Sequence, residues 1–173
     1  MKREPQRIAR AVRYGRTLGH VRHYRGHGVP SPFVYRVVRE VVMRKREIAG
    51  EDRALFDILR SMGVSRKRSA QLQNFYSMCG CSRYVVDNEW FEQKADGVMW
   101  IISKRAEPAM IANVEQMTDG HRMVVCVVYP RSTSKRYKAT RRAIGEHRGL
   151  SIDSIGFVVL MCNDNRLKQH ICI

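Results

Sequence analysis

Two uninterrupted apolar runs with a helical segment between them predict an α/β protein. The expected fold is a mostly parallel, helix-covered sheet, preceded by N-terminal helices and closed by an antiparallel hairpin. Met123 to Tyr129 (MVVCVVY) is rich in β-branched residues and stops at Pro130, the pattern of a strand buried on both faces in mid-sheet. Ser134 can cap a helix reaching about His147, with Tyr137, Thr140 and Ile144 on one face and Gly149 just past its end. Ile155 to Cys162 (IGFVVLMC) is the second run, and Asn163-Asp164-Asn165 is turn chemistry that folds it back onto Leu167 to Ile173. A strand, a helix and a following strand require a crossover, so the C-terminal third forms one edge of the sheet.

The preceding elements follow from the same periodicities. Ser31 caps a helix with Pro32 in its first turn, and Val34, Val37, Val38, Val41 and Val42 recur at helical spacing although valine favours strands. A second helix runs from Glu51 to Met62 and stops at Gly63. A third starts at Ser65 with Arg66, Lys67 and Arg68, carries Leu72, Phe75, Tyr76 and Cys79 on one stripe, and ends at Gly80. Arg83 to Val86 and Gly97 to Ser103 read as strands, and Pro108 opens a helix through Met117. The organisation is a basic arm over residues 1–30, a helical region over 31–80 and an α/β domain over 81–173.

Composition narrows the function classes. The 173 residues hold 32 Lys and Arg against 16 Asp and Glu, a net charge of +16, which favours polyanionic partners. Residues 1 to 28 alone carry eight Lys or Arg and one acid. No stretch approaches the roughly 20 apolar residues of a membrane span, and the Arg-laden start lacks a signal peptide's apolar core, so a cytoplasmic protein without a membrane span is expected. Five cysteines without a CxxC pair read as reduced, mostly buried thiols rather than zinc ligands.

Three stretches carry a resemblance. They are His27-Gly28-Val29-Pro30-Ser31-Pro32-Phe33, Gly63-Val64-Ser65-Arg66-Lys67-Arg68 through Tyr76, and Ser151-Ile152-Asp153 running into Gly156-Phe157-Val158 with Lys168-Gln169-His170. Together they resemble a family of bacterial class I methyltransferase-like proteins that use S-adenosylmethionine, in which the last stretch is the terminal hairpin. The resemblance implies a reduced Rossmann-like sheet of the class I methyltransferase type, and ligand binding beyond the first strand. There the family carries a Glu-x-Gly-Thr-x-x-Gly loop, whereas this chain has Asp87-Asn88-Glu89-Trp90 with no glycine. About ten residues join the first two strands, too few for the family's intervening helix and strand. The family's acidic motifs after its fourth and fifth strands are matched by Ser103-Lys104-Arg105 and Tyr129-Pro130-Arg131.

These features predict a non-catalytic methyltransferase-like protein that binds the RNA or DNA backbone and needs no cofactor. On a wheel of about 100° per residue, Lys135, Lys138, Arg141 and Arg142 share one arc of the 134–147 helix, flanked by Arg131 and Arg136, with Arg22 and Arg25 of the arm in support. The alternative is an active methyltransferase holding S-adenosylmethionine in a rearranged or intersubunit site, with Asp87 and Glu89 as its candidate contacts. No nucleoside pocket is expected beyond the first strand, because side chains occupy the position where the cofactor loop needs glycine.

Overall fold

The computed structural model of the chain describes residues 31–44, 48–88, 95–118, 120–163 and 168–173. The basic arm with Arg22 and Arg25, and Glu89 after the first strand, lie outside the described residues. Six strands form one sheet: β1 (Arg83–Val86), β2 (Val98–Ile102), β3 (Met123–Val128), β4 (Leu150–Asp153), β5 (Phe157–Cys162) and β6 (Gln169–Cys172), in the order β1-β2-β3-β5-β4-β6. β1, β2 and β3 are mutually parallel, and β4 is parallel to β6. β5 is antiparallel to both of its neighbours, β3 and β4. The fold is therefore α/β with a mixed sheet, and β3 lies inside it as its apolar run requires.

The closing hairpin differs from the one the apolar runs predict. Leu150–Asp153 is a strand, and the turn after it is closed by the Ser154 amide donating to the Phe157 carbonyl at 2.9 Å. The chain reverses there, so the crossover from β3 lands on β4 and the next run slots back between them. The last strand consequently pairs with β4 in parallel, and not with 155–162 as an antiparallel partner. β4 is only four residues long and alternates apolar with polar, which hides it beside the longer run that follows.

The sheet buries both faces because its strands alternate two apolar sets. Met99, Ile101, Val124, Cys126, Phe157 and Val159 face one core, while Val98, Trp100, Val125, Val127, Val158 and Leu160 face the other. The first core is covered by α1 (Pro32–Arg36), the π-helical turn Val37–Val42, α2 (Ala54–Ser61) and α3 (Arg66–Cys79). The wider π turn, with Met43 bonded back to Val38 at 2.9 Å, brings Val37, Val38 and Val41 to the buried side, accommodating a valine run within a helix. The second core is covered by α4 (Pro108–Ala112), α5 (Val114–Met117) and α6 (Ser134–Glu146). The expected 108–117 helix is broken at Asn113, whose φ of −104° and ψ of 15° leave helical geometry.

α3 is buried on more than its apolar stripe, and its amides explain how. Gln71 Nε2 donates to the Val42 carbonyl at the end of the π turn, at 3.1 Å. Gln73 Oε1 accepts from the Phe56 amide in the first turn of α2 at 3.0 Å, and Asn74 Oδ1 accepts from the Ala49 amide at 2.8 Å. These side chains satisfy backbone groups that neighbouring helix ends and loops leave open, so burying them costs little.

α6 is capped by Thr133, whose hydroxyl accepts from the Arg136 amide at 3.1 Å, rather than by Ser134. At its other end the buried His147 bonds to Glu115 of α5, and the chain enters β4 through Gly149. A Cβ on Gly149 would lie 2.5 Å from the Met161 carbonyl oxygen of the neighbouring strand. Gly149→Ala is therefore expected to lower stability by about 1–3 kcal/mol through overpacking against backbone, as read from urea denaturation midpoints.

Candidate functional site

Three parallel strands ending together create a cleft at their carboxyl ends, because each chain segment leaves in a different direction. Asp87 follows β1 and Tyr129 follows β3, and both adopt the left-handed region, with φ of 49° and 51°. For Asp87 this turn aims the carboxylate back across the sheet. It accepts from the Ser103 amide at 2.7 Å and the Ser103 hydroxyl at 2.6 Å, while the Asp87 carbonyl accepts from the Trp100 indole at 2.8 Å. For a tyrosine such a φ is unfavourable by of order 1–3 kcal/mol, so its surroundings must hold it. The Tyr129 amide donates to the Gly156 carbonyl at 2.9 Å, and its hydroxyl accepts from the amide of Ser65, the residue before α3, at 3.0 Å.

Between these strand ends and the α2–α3 turn lies a cavity of about 710 Å³, lined among others by Ile58, Gly63, Asp87, Lys104, Arg105 and Tyr129. A shallower hollow of about 400 Å³ continues past Asp87 and Arg105 toward α4. The sequence expectation concerned a nucleoside pocket; what lies beyond β1 is a cavity whose volume is within the few hundred to one thousand Å³ usual for small-ligand sites. Asp87 lines it, and its two carboxylate oxygens each accept one hydrogen bond from Ser103. Among the described residues, the other charged side chains in the larger lining are Lys104 and Arg105, both exposed.

The six candidate phosphate contacts of residues 131–142 separate into two groups. Lys135, Lys138, Arg141 and Arg142 are exposed, and Arg142 pairs with Glu146 at 2.7 Å. Arg131 and Arg136 are each only 2% exposed, which removes them from any phosphate-binding set. Arg131 Nη2 contacts both carboxylate oxygens of Asp153, at 2.7 and 2.8 Å, and Nη1 donates to the Ser154 carbonyl at 2.9 Å. Arg136 Nη2 donates to the Ile102 and Val128 carbonyls, each at 3.0 Å, and Nη1 to the Ala106 carbonyl at 3.2 Å. It supplies donors to strand-end carbonyls of β2 and β3 that no further strand residue can reach. Burial lowers the Arg136 pKa to about 10, with the Asp87 carboxylate opposing that shift.

The buried side of α6 is accordingly Arg136, Thr140, Ala143 and Ile144, with Tyr137 half-buried. Residue counting marks an arginine as solvent-facing, so the two internal guanidinium groups are invisible without their partners. Nor does sequence reasoning find Tyr129 as a cavity wall. The positive φ responsible arises where a central strand meets the reversal at Gly156.

Comparison of the chain with protein-family models, with curated proteins and with solved structures found no match. No described helix is long and apolar enough to cross a membrane.

Because Arg131 neutralises a buried carboxylate, Arg131→Met should cost about 3–5 kcal/mol in urea denaturation by stranding Asp153. The folded fraction should keep the salt dependence of any polyanion binding, which would separate this arginine from the exposed ones.

Proposed function

We propose that the chain is a non-catalytic, methyltransferase-like protein that binds the RNA or DNA backbone through an exposed basic surface on α6 and the adjoining cleft rim. The observation that carries this reading is the fixed array of Lys135, Lys138 and Arg141. All three are exposed on a helix anchored by its buried side, and none has an ion pair with a described residue. Cations on an anchored helix meet phosphates without first ordering a flexible segment, which lowers the entropic cost of contact. Lys135 sits in the first turn of α6, just after the carboxyl end of β3, and Lys104 and Arg105 follow the carboxyl end of β2. Basic groups therefore extend from the rim along the helix. An array of this kind tracks a backbone and carries little base information.

Replacing Lys135, Lys138 and Arg141 with Gln leaves the buried side of α6 unchanged. Fluorescence anisotropy with a short duplex should show weaker binding and a plot of log affinity against log salt flatter by about 2–3 units, near 0.9 for each phosphate no longer neutralised. Arg142→Gln should add less, because its charge is shared with Glu146. Unchanged affinity and slope in the folded triple variant would make the arc a solvated surface.

A second reading, an active methyltransferase with a rearranged or intersubunit cofactor site, is favoured by the cavity beyond β1. Against it stand the cationic Lys104 and Arg105 in the described lining. Isothermal titration with S-adenosylmethionine and its demethylated product decides between them. The first reading expects no saturable heat with either compound, and micromolar binding would establish the second.

A further inference from the structure

β4 and β6 place their apolar residues Leu150, Ile152, Ile171 and Ile173 in the first core, so by alternation Ser151, Asp153, His170 and Cys172 share the opposite face of the sheet edge. Parallel pairing sets Ser151 beside His170 and Asp153 beside Cys172. One ligand atom each from Asp153, His170 and Cys172 lies within 4.8 Å of the others. We propose that these three residues form a binding site for a divalent transition-metal cation of the zinc class, built from a thiolate, an imidazole and a carboxylate.

Geometry and the surrounding hydrogen bonds support this assignment. Cys172 Sγ lies 3.5 Å from His170 Nε2. Two ligands at zinc's usual bond lengths, about 2.3 Å to sulfur and about 2.0–2.1 Å to nitrogen, stand about 3.5–3.6 Å apart across a tetrahedral centre. The ring nitrogen that would bind is also selected. Ser151 Oγ lies 3.3 Å from the Gln169 carbonyl oxygen and 2.9 Å from His170 Nδ1, so when the hydroxyl donates to the carbonyl its oxygen can accept from Nδ1–H. In the metal-bound form that arrangement would keep the proton on Nδ1 and present the Nε2 lone pair, which lies on the Cys172 side of the ring, to the metal, as an outer-sphere partner orients a ligating histidine.

Asp153 is already held by Arg131, but a carboxylate has about four lone-pair positions and Arg131 Nη2 uses one on each oxygen. Arg131 thereby orients the carboxylate and leaves lone pairs for the metal. On binding, the Cys172 thiol releases its proton to solvent and the sulfur takes up the metal as thiolate. Sulfur and imidazole ligands select zinc-like ions over magnesium or calcium. His170 is exposed and Cys172 half-buried, so the site is open to solvent and its fourth position is available to water or a ligand.

The test is titration of the reduced full-length chain with Co(II), read by the sulfur-to-cobalt charge-transfer absorption, followed by displacement with Zn(II). One equivalent should saturate the band, and Mg(II) should not compete. Cys172→Ser should abolish the band, and His170→Gln should weaken Co(II) binding by more than the roughly 10–100-fold typical of removing an outer-sphere partner, which is the effect expected for Ser151→Ala. Circular dichroism without metal verifies that each variant is folded. Zn(II) should also raise the thermal midpoint of the wild type and leave that of Cys172→Ser unchanged. No band in the reduced wild-type chain, a band that persists in Cys172→Ser, or undiminished affinity in His170→Gln would each overturn the proposal.

Discussion

Antiparallel pairing of β5 with β3 is the constraint on which the rest of the molecule depends. All six residues of each strand are buried, and they pair in an unbroken register from Met123 with Cys162 to Val128 with Phe157. A slip of one residue would exchange Phe157, Val159 and Met161 with Val158, Leu160 and Cys162 between two cores of different shape. With β5 held there, β4 must lie outside it and α6 must cross over it. The sheet then has its three parallel carboxyl ends on one side, and Gly156 at the turn before β5 is within bonding reach of Tyr129.

That arrangement also explains why two arginines are internal in a chain with so much positive charge. Where β2 and β3 end, carbonyls point into space that no further strand fills. Arg136 reaches them from the first turn of α6. Arg131 spans the neighbouring gap to Asp153, at the end of the strand displaced by β5. A buried guanidinium is tolerated where its donors meet a carboxylate or oriented carbonyls, because these replace the hydration it loses. One face of α6 is thereby committed to holding the sheet. Its exposed cations are a separate population with a fixed spacing.

The cleft follows from the same geometry. Asp87 and Tyr129 follow β1 and β3, on either side of β2, in left-handed conformations, and the α2–α3 turn lines the same cavity. Asp87 binds Ser103 through both carboxylate oxygens, and among the described residues the cations of the larger cavity are Lys104 and Arg105. Lys104 and Arg105 at the cavity and the exposed cations of α6 therefore carry the same sign of charge. The polar cluster on β4 and β6 is different in kind. It sits on the opposite edge of the sheet from β1, and its sulfur, imidazole and carboxylate groups suit a metal better than a phosphate.

By itself the sequence determined the α/β class, the interior position of Met123–Val128, the helix that follows it, and the valine-rich and Ser65-initiated helices before the sheet. Each is written in a local period of apolar residues, which any short segment carries whatever its neighbours do. It also marked the exposed arc of Lys135, Lys138, Arg141 and Arg142. Tertiary structure alone decided the direction of β5, the existence of β4 and its parallel pairing with β6, the burial of Arg131 and Arg136, the cavity beside Asp87, and the meeting of Asp153 with His170 and Cys172. These depend on partners 22 residues away for Arg131 and 34 for Arg136, and on which strand edges meet. The period of apolar residues says which side of a segment is buried; what it is buried against, and whether a buried charge finds its counter-charge there, is settled only when distant strands pair.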